Sequence, residues 1–556
     1  MKKKWRLKLI FVFFILFAAA IISRLIIVQV LDCDYYRALA QGQEKNLKVL
    51  KGERGEVFFR GGEVLATNIE EKYLFVSPLK IKDKEKTADI LSQITGLDKN
   101  FILERIRRNS LFEKIKDGLS KEEEEEIKNK KLIGVYIGEK KTRIYPQNEI
   151  ASHLIGFLDK DGNGQYGIEG YYDDILQGGE IILKDNNFLK VNKAKGKSIF
   201  LTLDYNIQFK AEELLLKAKK EFEIKSGQII VVNPFSGEIL AMAEFPNFNP
   251  NNYSKIKDYS IFQNSAVQKL FEPGSVFKVI TMAAALNEKK VSPQTTYFDL
   301  GYVKIGENII RNYDNRSFGE QTMTNVLEKS INTGAVFAEE AVGSQKFLEY
   351  IEKFGFFEPT GIDLPGEIYS QNIELKKGRE INFATASFGQ GIEVTPIQLI
   401  RAFSAIANGG KLVKPYIVEK FVDGKRIEKV TPEISSQQVI SQETASQLTA
   451  MLVSVVKNGP YTRRARIPGY YIAGKTGTAQ VPWTSLGIKK KGYSSETWQS
   501  FIGFAPAFNP KFLVLVKLDF PNTSSSEYSA VPIFREMAKY IIDYKQIPQD
   551  YTEDEE

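Results

Sequence analysis

The sequence is poor in two residues that often build functional sites, because it holds one cysteine and one histidine among 556 residues. A single thiol, Cys33, cannot form an intramolecular disulfide, and it cannot supply the ligand set of a structural zinc site. Acyl-transfer chemistry that uses histidine would have to use His153. That residue is predicted to make structural hydrogen bonds in a different domain from the other candidates. We therefore expect neither a metal nor a cofactor.

A strong excess of charge of one sign is also missing. The formal net charge is +7, and much of the basic excess lies in the first few residues, so the charge argues only weakly for a nucleic-acid partner, and none is expected. With 43% hydrophobic and 26% charged residues, the chain has the composition of a globular protein. Its 556 residues are too many for a single core, so two or more folded domains are expected.

The chain opens with a basic tail at 1–8, followed by an apolar run at 9–31. A run of this length can cross a hydrocarbon layer of about 30 Å, and the positive charge before it would hold the N-terminus in the cytoplasm. This pattern predicts a single-pass anchor in the cytoplasmic membrane, with everything after it on the extracytoplasmic side. A cleaved signal peptide is the alternative, because 18–20 resembles a small-residue cleavage site. The apolar run continues past these alanines, which favours the anchor.

The exported part divides into two domains where the sequence pattern changes. Residues 32–198 mix short strand-like runs with a charged helical stretch, KDGLSKEEEEEIKNKK, whose glutamates are expected to form a solvated helix face. Residues 199–545 begin with a helix capped by Asp204 and continue into a hairpin around 233–237. The acidic residues 546–556 are predicted to be a disordered tail.

Three further strands are predicted near the end of the second domain, in YYIAGKTGTAQ, TWQSFIGFAPA and KFLVLVKLDF. Helical patterns fill the middle of the domain. Strands at both ends with helices between them indicate an antiparallel five-stranded sheet that is made from distant segments and covered by helices. The predicted fold class is multidomain α+β.

One short string, EPGSVFK at 272–278, indicates nucleophilic chemistry. A helical pattern follows Pro-Gly, so Ser275 should lie in the first turn of a helix, with Lys278 three residues on along the same face. A serine hydroxyl is a weak nucleophile until a neighbouring base takes its proton. Lysine can be that base only if it is neutral, and burial or a second cation lowers its pKa. We therefore expect a second lysine to converge on this site.

The second cation is predicted to be Lys475, in the strand pattern AGKTGTAQ. The small residues Gly474 and Gly477 are expected to leave room for a ligand backbone to pair with this strand. Between the two lysines, the string KSINTG places Ser330 and Asn332, which offer a hydroxyl for proton relay and a side-chain amide. Each string is weak alone. Three in this order, each in the secondary structure that its chemistry needs, form a specific pattern.

These strings resemble the S-x-x-K, S-x-N and K-T-G motifs of the penicillin-binding proteins. The sequence resembles class B of that family, the monofunctional peptidoglycan D,D-transpeptidases. The resemblance covers nearly the whole chain, through RGEVFFRGGEVLATN, RIYPQNEIASHLIGFLDKDGNGQYGIEGYYDDILQG, TGIDLPGE and SFGQGIEVTPIQL. Phe59 departs from the family, which commonly has an aspartate there. The resemblance implies a pedestal or dimerisation domain at 32–198 and a β-lactamase-like transpeptidase domain at 199–545.

The resemblance also implies a role for each residue of the site. Ser275 would attack a D-Ala-D-Ala stem peptide to form an acyl-enzyme, with Lys278 as the general base, and a second stem peptide would complete the cross-link. Ser330 would pass a proton to the leaving amine, and Asn332 would hold Lys278 and the peptide. β-Lactams, which imitate D-Ala-D-Ala, would acylate the same serine. The substrate would also be bound along the K-T-G strand, by Lys475, Thr476, Gly477 and Thr478.

Several other functions use a similar site. A class A penicillin-binding protein would need a glycosyltransferase domain, and 32–198 has no motif for one. A β-lactamase would rarely carry a membrane anchor and a large N-terminal domain. A D,D-carboxypeptidase and a non-catalytic β-lactam-binding scaffold or sensor remain as alternatives. SFGQGIEVTPIQL favours the division and sporulation group over the elongation group, and in either group the resemblance implies a SEDS-family membrane glycosyltransferase and other division or elongation proteins as partners.

Overall fold

The computed structural model describes residues 11, 13–19, 21–23, 48–110, 112–184, 187–191 and 195–552. Its contacts divide the chain into two compact units, a smaller one of 1–55, 174–198 and 422–426 and a larger one of 56–173, 199–421 and 427–556. Among the described residues, no helix combines the length and the apolarity that crossing a membrane requires. The predicted cytoplasmic tail at 1–8 lies outside the described residues, as does most of the predicted anchor at 9–31.

The smaller unit contains a three-stranded antiparallel sheet. Its strands stand in the order Lys48–Lys51, Glu180–Lys184 and Asn187–Val191. The sheet therefore pairs the strand that opens the predicted pedestal domain with the hairpin that closes it.

The first part of the larger unit, 56–173, is built on the long strand Val64–Val76. This strand pairs antiparallel with Val135–Ile144 along most of its length and with Glu113–Asp117 near its end. Three capped helices pack on these strands and share one apolar core with them. The helices and their caps are Lys84–Thr95 after Asp83, Lys99–Arg107 after Asp98, and Lys121–Lys130 after Ser120.

The third of these helices carries the glutamate run. Glu125 and Glu126 are exposed, and Glu124 pairs with Lys128 one turn further on, so the predicted solvated helix face is confirmed. The remaining elements of this region are short. They are the strands Val57–Phe58, Phe157–Leu158 and Gly164–Gln165 and the helices Pro78–Lys80, Ser152–Ile155 and Gly167–Tyr171. A last short helix, Asp173–Leu176, begins at the end of this region and continues into the residues of the smaller unit.

The second part of the larger unit contains the five-stranded antiparallel sheet that the sequence predicts. Strands from the start of the domain pair with strands from its end, and every residue of the central strand is buried, as expected when both faces of a sheet are covered. Ala473–Pro482 has a strand partner on one side only, so it is an edge strand. The spatial order is Ile239–Phe245, Ser226–Val232, Phe512–Asp519, Tyr493–Ala505 and Ala473–Pro482.

Helices cover this sheet, and the two at the ends of the domain share a core with it. Tyr205–Phe222 and Ala530–Lys545 pack on Val514 and Val516. The predicted cap Asp204 accepts hydrogen bonds from two N–H groups of the first helical turn. The other α-helices are Ser265–Gln268, Lys278–Asn287, Met323–Glu328, Asn332–Val342, Ser344–Lys353, Ile373–Lys376, Glu380–Ala386, Pro396–Ala407 and Gln442–Asn458.

The rest of the larger unit consists of short strands and single turns of 3-10 helix. The strands include two that form a hairpin beside the candidate active site, Tyr302–Ile305 and Asn308–Arg311. The other strands are Ser198–Leu201, Thr296–Asp299, Gly319–Thr322, Lys411–Val413, Val418–Asp423, Arg426–Lys429 and Ile434–Gln438. The 3-10 turns are Pro250–Lys255, Tyr259–Phe262, Gly274–Phe277, Tyr313–Asn315, Arg463–Ala465, Trp483–Leu486 and Ser526–Tyr528.

The prediction of a disordered tail at 546–556 is wrong for its first residues. Ile547 is buried in the same core as the last helix, and the Asp550 carboxylate accepts a hydrogen bond from the Tyr471 N–H at 2.8 Å. The acidic composition of the segment did not reveal these contacts, because they are made with residues distant in the sequence. Residues 553–556 lie outside the described residues.

Candidate active site

Ser275 lies in the 3-10 turn Gly274–Phe277, which leads directly into the helix Lys278–Asn287. The sequence predicted Ser275 in the first turn of that helix, and the structure differs only in the tighter winding of this turn. The turn packs against the edge strand Ala473–Pro482. Ser275 is half-buried. It can therefore contact the side chains around it and still be reached by a ligand.

The amine of Lys278 lies among four oxygen atoms. Its Nζ is 3.0 Å from the Ser275 Oγ, 2.6 Å from the Ser330 main-chain oxygen and 3.2 Å from the Ser330 Oγ. It is also 2.8 Å from the Asn332 Oδ1. A neutral amine has two N–H donors and one lone pair, and the two carbonyl oxygens in this group can accept both donors. The lone pair is thereby left for the Ser275 hydroxyl, which can donate its proton to it.

Burial lowers the pKa of Lys278 well below its usual value, and the charge of Lys475 lowers it further. The Lys278 side chain is 1% exposed, and none of the described carboxylates lies within ion-pair distance of it. Loss of hydration penalises the ammonium form more than the amine form. The surroundings of Lys278 therefore favour its amine form, which is the form that a general base needs.

Lys475 is equally buried, and its Nζ lies 3.0 Å from the Ser330 Oγ. Burial lowers the pKa of Lys475 to about 7. The charged form of Lys475 is therefore less favoured than that of an exposed lysine. The second lysine expected from the sequence thus lies beside the first, with the hydroxyl of Ser330 between the two amines.

Ser330 has a left-handed main chain, with φ of +55°. This conformation costs a residue with a side chain on the order of 1 kcal/mol or more. Ser330 occupies the short connection between the helices Met323–Glu328 and Asn332–Val342. The left-handed conformation directs both the carbonyl oxygen and the hydroxyl of Ser330 towards Lys278. The strained main chain therefore makes both contacts possible.

Asn332 is oriented by a network that the sequence analysis missed. Its Nδ2 donates to the Arg311 main-chain oxygen at 2.9 Å, which directs its Oδ1 towards Lys278. Its main-chain N–H donates to the Asn312 Oδ1 at 3.0 Å, and the Asn312 Nδ2 donates to the carboxylate of Asp299. Asp299 and Asn312 are both buried. Their sequence context is that of ordinary loop residues, so no local signal pointed to them.

The predicted substrate-binding residues lie on the edge strand Ala473–Pro482. Thr476 is buried beside the Lys475 amine. The Thr478 Oγ1 shares a hydrogen bond with the Ser526 Oγ at 3.0 Å, and this second hydroxyl was also missed from the sequence. The strand therefore gathers hydroxyls and a cation at one edge of the sheet, which suits recognition of a carboxylate.

The glycines of this strand have a different purpose from the one predicted. A Cβ on Gly477 would lie 2.8 Å from the Pro273 main-chain oxygen, and a Cβ on Gly474 would lie 2.5 Å from the ring of Phe501. The expectation that these two glycines leave room for a ligand backbone is therefore wrong. They let the strand approach the nucleophile turn and the core of its own domain.

A buried carboxyl group that the sequence analysis did not single out lies three residues before the nucleophile. Glu272 is 5% exposed, and its two oxygens accept hydrogen bonds from the Tyr493 hydroxyl at 3.2 and 3.1 Å. Burial raises the pKa of Glu272 to about 7. Both residues line a cavity of about 800 Å³, together with Lys489–Lys491. The motif string contained Glu272, but only the fold shows that it is buried.

His153 lies outside this site. It is buried, and its Nε2 donates to the Ile261 main-chain oxygen at 2.8 Å, which is the structural role predicted for it. Within the described ranges, no group of three or more His, Cys, Asp or Glu side chains is arranged to hold a metal ion. The groups around Ser275 are hydroxyls, amines and an amide. This arrangement can transfer an acyl group through a serine ester, with lysine in place of histidine as the base.

Two family descriptions match the chain. Residues 227–539 match the penicillin binding protein transpeptidase domain, and residues 49–187 match the penicillin-binding protein dimerisation domain. The first match covers more than half of the chain and includes every residue proposed for the site.

Among curated proteins, the chain is similar to stage V sporulation protein D of Bacillus subtilis (strain 168). The identity is 35% over 535 residues, which are 93% of this chain and 82% of that protein. It is also similar to the probable peptidoglycan D,D-transpeptidase PbpC of Pseudomonas aeruginosa. In this case the identity is 31% over 536 residues, which are 94% of this chain and 91% of that protein.

Solved structures show the same likeness. Penicillin binding protein 2X from Streptococcus thermophilus has a TM-score of 0.74 and 25% identity, over 91% of this chain and 81% of that one. Penicillin binding protein 3 from Mycobacterium tuberculosis, in complex with aztreonam, has a TM-score of 0.70 and 25% identity, over 91% of this chain and 98% of that one.

Proposed function

Because this chain belongs to the penicillin-binding protein transpeptidases and is a class B peptidoglycan D,D-transpeptidase, we propose that it cross-links stem peptides through an acyl-enzyme on Ser275. Its relatives are of the division and sporulation type, and it has the family's two-domain fold. One observation carries the proposal: the Lys278 Nζ, whose pKa is lowered by burial, lies 3.0 Å from the Ser275 Oγ.

In the first step, the Ser275 Oγ attacks the carbonyl carbon of the penultimate D-Ala while its proton passes to the Lys278 Nζ. The carbonyl oxygen becomes negative and is held by the main-chain N–H groups of Ser275 and Thr478. Loss of one such donor typically costs about 100- to 1,000-fold in rate. As the C–N bond breaks, Lys278 passes this proton through the Ser330 hydroxyl to the leaving nitrogen, and the terminal D-Ala departs.

Lys475 binds the carboxylate of the terminal D-Ala, with the hydroxyls of Thr476 and Thr478 beside it. An anion at this position favours the charged form of Lys475 and raises its pKa. The restored charge in turn keeps Lys278 neutral, because like charges in a buried site oppose each other. Binding of the correct peptide terminus therefore raises the fraction of Lys278 in the amine form at the moment when a proton acceptor is needed.

In the second step, the amine of another stem peptide attacks the ester carbonyl and gives a proton to the Lys278 Nζ. Lys278 passes this proton to the Ser275 Oγ as the ester C–O bond breaks. The new amide is the cross-link. Attack by water instead would give a D,D-carboxypeptidase, and the named relatives favour transfer to an amine. A β-lactam would acylate Ser275 in the same way, but its leaving nitrogen stays attached to the acyl group, which blocks the second step.

Labelling with a fluorescent penicillin tests the nucleophile. The purified protein and a Ser254→Ala control, changed at an exposed serine in another turn, are expected to become covalently labelled. Ser275→Ala is expected to lose labelling completely, and mass spectrometry should find the adduct on the peptide that contains Ser275. Persistent labelling of Ser275→Ala would show that another residue is the nucleophile. Release of D-Ala that requires an added acceptor amine would separate transpeptidation from hydrolysis.

We further propose that the protein is anchored in the cytoplasmic membrane by 9–31, with both domains on the extracytoplasmic side. The basic segment 1–8, the apolar run and the extracytoplasmic location of peptidoglycan support this topology. Alkaline phosphatase fused after residue 552 should be active in cells, and fused after residue 8 it should be inactive. The reverse pattern would contradict the topology.

A SEDS-family membrane glycosyltransferase is the proposed partner, since new glycan strands must reach this site before they are cross-linked. Copurification from detergent extracts should be lost when 9–31 is exchanged for an unrelated membrane helix while labelling by penicillin persists. Unchanged copurification would show that residues 9–31 do not take part in binding the glycosyltransferase.

A further inference from the structure

A second cavity, of about 650 Å³, has no lining residue in common with the candidate active site. It lies where the C-terminal end of the helix Gln442–Asn458, the turn Arg463–Ala465 and the helix Ala530–Lys545 meet. Its walls are strongly basic, because five cations face a single carboxylate, that of Glu536. The cations are Lys457, Arg463, Arg464, Arg466 and Arg535.

The carboxylate of Glu536 already has an ion-pair partner. Glu536 pairs with Lys217, which lies on a helix outside the cavity lining. In the part of the chain that the structure describes, none of the five cations forms an ion pair with a carboxylate. Five like charges in one cavity repel each other, so the cavity favours a ligand that carries several negative charges.

Three of the guanidinium groups are held in place by their own surroundings. The Arg466 Nε donates to the Val456 main-chain oxygen at 3.3 Å, and the Arg535 Nε donates to the Arg466 main-chain oxygen at 2.9 Å. The Arg464 guanidinium lies over the ring of Tyr528, 4.7 Å from its centroid. Within the described residues, the terminal Nη groups of Arg466 and Arg535 have no hydrogen-bond partner. Their planar donor pairs are therefore oriented and free to bind an anion.

We propose that this cavity binds a ligand that carries two or more phosphate groups. A carboxylate has two oxygens and matches one guanidinium, whereas a phosphate offers enough oxygens to accept from guanidinium groups on two different elements. Arg466 follows a turn and Arg535 lies on a helix, so they approach a ligand from two sides. The volume exceeds that of one phosphate, and Tyr471 and Pro468 supply an apolar wall for the atoms between phosphate groups. A soluble phosphate polymer and a lipid headgroup share this chemistry.

Calorimetric titration of the full-length protein in detergent, with inorganic tripolyphosphate at low salt, tests the proposal. We expect one saturable site, an affinity that falls as salt rises, and a loss of about tenfold or more in R466Q/R535Q. The matched control K130Q/K131Q removes two exposed lysines of the pedestal and should bind as the wild type does. Equal binding by R466Q/R535Q, or a loss of the same size in K130Q/K131Q, would overturn the site.

Two further arms define the ligand. Citrate, a tricarboxylate, should bind at least about tenfold more weakly than tripolyphosphate, and equal affinity would overturn the phosphate assignment. Displacement of tripolyphosphate by cardiolipin in micelles, whose headgroup carries two phosphates, but not by the soluble headgroup 1,3-bisphosphoglycerol, would assign a lipid headgroup. Displacement by both would assign a soluble phosphate ligand.

Labelling by fluorescent penicillin checks that each variant is folded, and it keeps this test separate from the transpeptidase assignment. Should R466Q/R535Q fail to fold, Arg535→Lys retains the charge and removes the planar donor pair. This variant is expected to lose several-fold in affinity for tripolyphosphate. Wild-type affinity in Arg535→Lys would overturn the assigned role of the Arg535 guanidinium.

Discussion

The main-chain oxygen of Ser330 lies 2.6 Å from the Lys278 Nζ, and Ser330 reaches this position through a left-handed φ of +55°. The same residue also directs its hydroxyl to Lys278 at 3.2 Å and to Lys475 at 3.0 Å. One strained residue thus orients the base with its carbonyl and joins the two amines with its hydroxyl. The strain is located where it serves the proposed proton transfer.

Two substitutions of Ser330 separate its hydroxyl from its main chain. Ser330→Ala and Ser330→Gly both remove the hydroxyl, so turnover of a stem-peptide substrate should fall by about 100-fold or more in each. Only glycine adopts the left-handed conformation without strain. The glycine variant should therefore have a free energy of unfolding about 1 kcal/mol above that of the alanine variant. Turnover assays and urea denaturation measure the two effects, and wild-type turnover in either variant would exclude the relay.

Removal of the charge at position 475 should change the pH dependence of acylation. Lys475→Met takes away a cation that lowers the pKa of Lys278, so the pKa of Lys278 should rise. The reactive form is the neutral amine, whose fraction falls as pH falls through that pKa. The acid limb of the acylation rate should therefore move to higher pH, while burial still keeps the pKa below its usual value. Stopped-flow acylation by a fluorescent penicillin measures this profile, and an unchanged limb would mean that burial alone lowers the pKa of Lys278.

Asn312 should matter although it touches no predicted catalytic side chain. Its Oδ1 accepts the main-chain N–H groups of Asn332 and Thr333 at 3.0 and 3.1 Å. Asn312→Ala leaves these buried donors unpaired, so we expect a loss of about 1 to 3 kcal/mol in the free energy of unfolding and slower acylation. Chemical denaturation and penicillin labelling check both effects.

Asn312→Asp is the matched variant for this network. It keeps the acceptor oxygen but sets a second carboxylate against Asp299, where the Asn312 amide now donates. The repulsion raises the pKa of the carboxyl pair in the folded state, so the destabilisation should be largest at neutral pH and shrink as pH falls. A destabilisation of constant size across this range would contradict the proposed arrangement.

Glu272 should make the stability of the protein depend on pH between about 4.5 and 7. Its pKa is raised from 4.5 to about 7 in the folded state, so the folded protein favours the protonated form. The associated stability is present below the unfolded pKa and is lost as pH rises through the folded one. Glu272→Gln stays uncharged and can still accept from Tyr493. Its free energy of unfolding relative to the wild type should therefore increase with pH, by on the order of 3 kcal/mol between pH 4 and 8.

Urea denaturation of both proteins at a series of pH values measures this difference directly. Shifts from other groups, including the two buried lysines, are common to both proteins and cancel in the comparison. A difference that stays flat with pH would show that Glu272 is charged in the folded protein at neutral pH.

Much of the site could be predicted because its motifs are local. Ser275 and Lys278 are three residues apart on one helix face, and the scarcity of histidine left lysine as the base. The five strands were also predictable, because apolar runs of the right length stand between clear turns. The glycines of the K-T-G strand were misread, because the sequence does not show which atoms a missing side chain would meet. Gly477 faces Pro273, which is distant in the sequence.

The residues that hold the motif side chains were not predictable. Asp299 and Asn312 act through hydrogen bonds to the start of another helix, and Tyr493 meets Glu272 across a large separation in sequence. Ser526 reaches Thr478 in the same way. Contacts of this kind depend on how distant segments pack. A single side chain in a loop belongs to no sequence pattern from which such a contact could be predicted.

The sequence by itself determined the five strands of the transpeptidase sheet and the three strings that carry the chemistry, because periodicity and spacing act within a few residues. Only the tertiary structure decided the pKa values of the lysines on which that chemistry depends. It buries two lysines around the hydroxyl of Ser330, and removal of water together with the repulsion of like charges makes an ordinary ammonium group into a base.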